Sequence, residues 1–191
     1  MNALLPAVLS FGLILGLTLG LMATTGPAWA GKAHQHGVAQ LDVVVEPTRV
    51  TLELDTPLDN LLGFERAPRT DGERATVEQA LAKLRAADQL FRIDGAAGCT
   101  LDKVTLNAPV LGVGATAAAP APGAKPSPAE HADLNARFEF TCKTGQRAGF
   151  VEVELFAAFA PMKRINLQLV LPRGQMKATL QRPATRVALV R

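Results

Sequence analysis

The residues of this chain best suited to specific chemistry are its three histidines. His34 and His36 stand one residue apart in His34-Gln35-His36-Gly37, where an apolar N-terminal segment gives way to the first alternating run. His131 opens a second alternating run about a hundred residues later. Neutral imidazoles suit a borderline-soft cation, so the three together point to zinc or another divalent transition metal. Side chains at i and i+2 of a strand point the same way, and an extended 34–36 segment would aim both rings at one ion. The third ring joins them only if two strands begin on one rim of a sheet. Asp133 follows His131 by two positions and is either a fourth ligand, a partner for an imidazole, or a solvated carboxylate on a strand face. Without that convergence, paired histidines near a chain start are simply solvated.

Other chemistry has little support. No glycine-rich phosphate loop follows a strand, and no nucleophile elbow is present. Asp59 and Glu65 flank a short helical stretch and read as a cap and a surface charge rather than as a carboxylate pair. Phe64 reads as a core anchor. A formal charge of +3, spread along the chain, does not point to nucleic acid. A three-histidine zinc hydrolase is conceivable in principle, but no acid/base group or substrate pocket accompanies the histidines. The expectation is a protein that is not an enzyme.

The elements that must position these residues follow from hydrophobic period. Val38, Leu41, Val43 and Val45, then Val50, Leu52 and Leu54 across Glu46-Pro47-Thr48-Arg49, predict an antiparallel hairpin with one buried face. Thr56-Pro57 predicts a helix start and Gly63 its stop, with one or two turns over 58–62. Thr70 and Glu73 form a capping-box pattern ahead of a predicted amphipathic helix over 71–91, with Val77, Leu81, Leu84 and Phe91 in its stripe. Cys99, Leu101, Val104 and Leu106 suit a strand. Residues 107–129, rich in Ala and Pro, offer no face to bury and predict a disordered loop. Leu134, Ala136, Phe138, Phe140 and Cys142 share one face of the next strand. Residues 149–159 are ambiguous, with a short helix over 155–159 the favoured reading. Strands at 165–171, 176–180 and 186–190 close the chain. The fold class expected is α+β, a single domain with a mainly antiparallel sheet and one long amphipathic helix packed on it.

Residues 1–30 carry no Lys, Arg, Asp or Glu, and Leu4 to Met22 is almost wholly apolar. Ala28-Trp29-Ala30 then has the small-residue spacing of a secretory cleavage site, so processing is expected after Ala30. The rival reading is an uncleaved transmembrane anchor, since nineteen apolar residues could just span a bilayer. Cleavage would place His34 fourth in the mature chain, one place too late for the terminal copper motif. About 160 residues remain, enough for one domain. Two cysteines in an exported chain suggest one disulfide. If the strands at 100–107 and 132–142 pair antiparallel, Cys99 stands opposite Cys142. The bland alternative is two buried free thiols.

His-x-His-Gly-Val-Ala-Gln-Leu-Asp-Val, Pro57-Leu58-Asp59-Asn60-Leu61-Leu62-Gly63-Phe64-Glu65, Cys99, His131-Ala132-Asp133-Leu134 and Phe140-Thr141-Cys142 resemble the ZrgA-type family. That family began as a domain of unknown function and includes an accessory protein of bacterial zinc uptake. The resemblance covers residues 34–182. It implies a periplasmic zinc-binding protein working beside an ATP-driven zinc importer, with His34, His36 and His131 at the motif positions. Family members commonly carry a His/Asp/Glu-rich run where this chain has its Ala/Pro loop, so one compact site is all the resemblance supports here. The alternative from another class is a metal-independent envelope interaction domain.

Overall fold

The computed structural model describes residues 35–114 and 132–189. The first alternating run forms β1 (Val38–Val45) and the second β2 (Arg49–Pro57), an antiparallel hairpin with Val43 opposite Leu52. The chain continues through β4 (Cys99–Asn107), β5 (Asp133–Cys142), β7 (Arg164–Leu171) and β8 (Gly174–Gln181) into one six-stranded sheet, ordered β4-β5-β2-β1-β7-β8. All its pairs are antiparallel except β1 with β7, which run parallel. A smaller antiparallel sheet has the order β3-β6-β9, from β3 (Phe91–Ile93), β6 (Phe150–Val153) and β9 (Arg186–Ala188). The molecule is thus mostly sheet with some helix, and the mainly antiparallel expectation holds.

The inner face of the large sheet carries Leu41, Val43, Leu52, Leu54, Phe138, Ile165 and Leu169, all essentially without solvent exposure. They join one core with the small sheet and with α2 (Asp71–Arg85), which contributes Val77, Ala80, Leu81 and Leu84. Phe91 meets Phe138 with ring centroids 4.9 Å apart. The Thr70 hydroxyl caps α2 by accepting the Glu73 N–H at 3.1 Å, while the Glu73 carboxylate accepts the Arg69 N–H at 2.6 Å. No helix among the described residues is long and apolar enough to cross a membrane.

Three expectations are corrected and one ambiguity is resolved. The helix predicted over 71–91 ends at Arg85; one further turn, α3 (Ala87–Leu90), leads into β3, so Phe91 enters the core from a strand. Thr56 and Pro57 do not start a helix, because the ladder to β5 runs on through Thr56 opposite Leu134 and Pro57 opposite Asp133. The ambiguous stretch 149–159 resolves into β6 followed by the favoured helical turn, α4 (Leu155–Ala158), as Val151 and Val153 alternate before Leu155 and Phe156 turn inward. The loop expected over 107–129 is ordered as far as Gly114: Ala108 is buried, 109–111 form a 3-10 turn, and Ala108 bridges Val113. Residues 115–129 lie outside the described residues, as does the whole segment 1–30.

Candidate functional site

Three chain segments share one rim of the large sheet: the start of β1, the end of β2 and the start of β5. Both β1 and β5 pair antiparallel with β2, so they run the same way on either side of it. They stand roughly 10 Å apart, two strand spacings. The Leu58 N–H extends the ladder to the Ala132 carbonyl at 2.8 Å. Next in the chain comes α1 (Asp59–Leu62), which leaves the same rim and stops at Gly63 with φ of 80°.

His36 sits where the chain enters β1, but not in the strand. Gln35 to Val38 form a tight turn closed by the Val38 N–H on the Gln35 carbonyl at 3.0 Å. Gly37 takes φ of 79°, a left-handed conformation that favours glycine, and a β-carbon there would come within 3.2 Å of the Lys163 side chain. The Gly37 carbonyl accepts the Lys163 and Arg164 N–H groups at 2.8 and 2.9 Å, tying the turn to β7. The expectation of an extended 34–36 segment is therefore corrected at His36. The pleat does not set its direction, and the glycine turn does.

The other side of that turn is held by Asn60, which is fully buried. Its Oδ1 accepts the Gly37 N–H at 2.6 Å, and its Nδ2 donates to the Val38 carbonyl and to the Thr56 hydroxyl, both at 2.9 Å. This clamp brings Asp59, the preceding residue, against the histidine: His36 Nδ1 lies 2.8 Å from Asp59 Oδ2. Glu65 Oε1 is 3.8 Å from the same nitrogen. The Glu65 loop is braced by Arg66, whose guanidinium meets both Glu73 oxygens at 2.9 and 2.6 Å and lies over the Phe64 ring. The His36 side chain keeps 69% of its surface exposed, against 29% for Asp59 and 37% for Glu65. The hydrogen bond to Asp59, then the charges of Glu65 and Asp59, raise the His36 pKa above its ordinary 6.5.

Asp59 and Glu65 thus do more than the sequence suggested, since both face the one described histidine. Asn60 was missed as a positioning group. The available signal was a polar residue on the buried side of Leu58-Asp59-Asn60-Leu61-Leu62, which must find partners. Asp133 opens β5 on the shared rim, half-buried and opposite Pro57. His34 and His131 lie outside the described residues. Among the described residues no group of three or more His, Cys, Asp or Glu side chains is arranged to hold a metal ion. At the far end of β4 and β5, Cys99 stands opposite Cys142 in register and the two form a disulfide, with sulfurs 2.06 Å apart.

The described chain is thus a small α+β domain, mostly sheet, with the exposed His36 imidazole beside the Asp59 and Glu65 carboxylates at one rim. The chain belongs to the ZrgA family, whose model, described as ZrgA family zinc uptake protein, matches residues 33–189. The resemblance seen in the motifs is therefore met. Comparison with curated proteins gives no match.

Proposed function

We propose that this is a periplasmic zinc-binding protein accessory to zinc acquisition, holding one ion through His34, His36 and His131, with Asp133 beside them. Processing after Ala30 would deliver it to the periplasm without a membrane segment. The zinc is cargo, the role is not enzymatic, and the partner is an ATP-driven zinc importer. The observation that carries the reading is the sheet order: β1 and β5 both begin on the rim where α1 departs, and the Leu58 N–H donates to the Ala132 carbonyl there. Membership of a zinc uptake family supports the choice of metal. The chemistry of His36 supports the reading, since its exposed ring lies beside the Asp59 and Glu65 carboxylates.

The test is metal analysis and calorimetric zinc titration of the processed chain, with His34→Ala, His36→Ala and His131→Ala alongside. One equivalent of zinc, with each replacement weakening binding, is the expected result. Zinc affinity unchanged by His131→Ala removes the three-histidine site, and no uptake at all favours the metal-independent envelope domain.

A further inference from the structure

We propose that Asp59 is the positioning residue of His36: it accepts the Nδ1 proton and thereby assigns Nε2 as the nitrogen that meets the metal. The inference rests on the zinc-binding reading above. An ionised carboxylate can only accept hydrogen bonds, so the 2.8 Å contact between Asp59 Oδ2 and His36 Nδ1 needs the proton on Nδ1. In the neutral ring the lone pair is then on Nε2. An exposed histidine without such a partner divides itself between two tautomers and several rotamers, and each wrong one costs metal affinity.

The backbone on both sides of the pair is held. Asp59 is the first residue of α1, and Asn60 pins that helical turn to the Gly37 N–H and the Val38 carbonyl, immediately after His36. One buried amide therefore holds both halves of the His36–Asp59 pair. Glu65, at 3.8 Å, is beyond hydrogen-bond range of Nδ1; it adds negative charge without taking the proton. In this arrangement Asp59 is spent on the ring and is not itself a ligand. Groups that orient a ligating histidine in this way typically contribute about 10- to 100-fold in metal affinity.

The tautomer is read directly by long-range nitrogen–proton correlation in the NMR spectrum of the metal-free chain, at a pH where His36 is neutral. Zinc titrations of wild type, Asp59→Ala and Asp59→Asn accompany it, with circular dichroism to verify folding. The expected result is the Nδ1–H tautomer in wild type, a mixture in Asp59→Ala, and a zinc Kd raised roughly 10- to 100-fold in that variant. Asp59→Asn, whose carbonyl oxygen still accepts, should keep the tautomer and lose less affinity; if Asp59→Ala does not fold, the wild-type tautomer carries the test. A neutral His36 protonated at Nε2 in wild type overturns the proposal. So does zinc binding that is lost in His36→Ala yet untouched by Asp59→Ala. Failure of the zinc-binding reading is separate and shows as wild-type protein that takes up no zinc.

Discussion

Replacing Asn60 with alanine removes the clamp that joins α1 to the His36–Gly37 turn, and its cost can be worked from three contacts. The side chain is fully buried and makes hydrogen bonds of 2.6, 2.9 and 2.9 Å to the Gly37 N–H, the Val38 carbonyl and the Thr56 hydroxyl. A buried hydrogen bond is worth about 1 kcal/mol net, and a partner left stranded costs about 1–3 kcal/mol. Water entering the vacated space offsets part of the second cost, so the loss should be roughly 3 kcal/mol. For a domain of this size that corresponds to a fall in Tm of roughly 6–12 °C. Urea denaturation of the oxidised chain, with calorimetry, measures both quantities. Zinc affinity should fall as well, because the turn that presents His36 is released. A loss below about 1 kcal/mol would refute the reasoning, since three satisfied buried contacts cannot be removed that cheaply.

Zinc affinity should fall as pH drops through a value above 6.5, because the carboxylates favour the protonated ring that cannot bind; Asp59→Asn should move that midpoint downward in calorimetric titrations. Glu73 is held at about 2 by the Arg66 guanidinium and then by the Arg69 N–H, so its contribution to stability is present above about 4.5 and lost as pH falls through about 2. Acid unfolding followed by circular dichroism should therefore be less steep across that window in Glu73→Gln. Reducing Cys99–Cys142, which are 43 residues apart, should destabilise the fold by roughly 4 kcal/mol in chemical denaturation. Mass spectrometry of periplasmic material should show a chain beginning at Gly31 with no free thiol.

The strands and their inner faces could be read from the sequence because burial and backbone period are local properties. Leu54 and Phe138 each announce their side by standing between charged neighbours, and the capping of α2 is written within four residues. Even the spacing of Leu101 and Val104, odd for a strand, has a local explanation. A bulge at Asp102 shifts the register between Leu101 and Lys103 and returns Val104 to the face opposite Phe138. The Cys99–Cys142 pairing was equally accessible, since an antiparallel register and export sufficed to propose it.

The site itself was not legible in this way. His36, Asp59, Asn60 and Glu65 belong to no common period; their relation exists because β1 lies beside β2, and β2 leads directly into α1. The parallel pairing of β1 with β7 joins segments more than a hundred residues apart, and no alternation pattern encodes which edge a late strand will choose. The same limit explains why 107–114 was expected to be loop, for its order comes from burying Ala108 against the core rather than from its own pattern. What the sequence by itself determined was the set of amphipathic elements, the disulfide partners and the histidines at the strand approaches. Which side chain faces His36, and so which of its nitrogens is left for a metal, was decided only by tertiary structure. A hydrogen bond across 23 residues depends on where two separate elements are packed, not on what either contains.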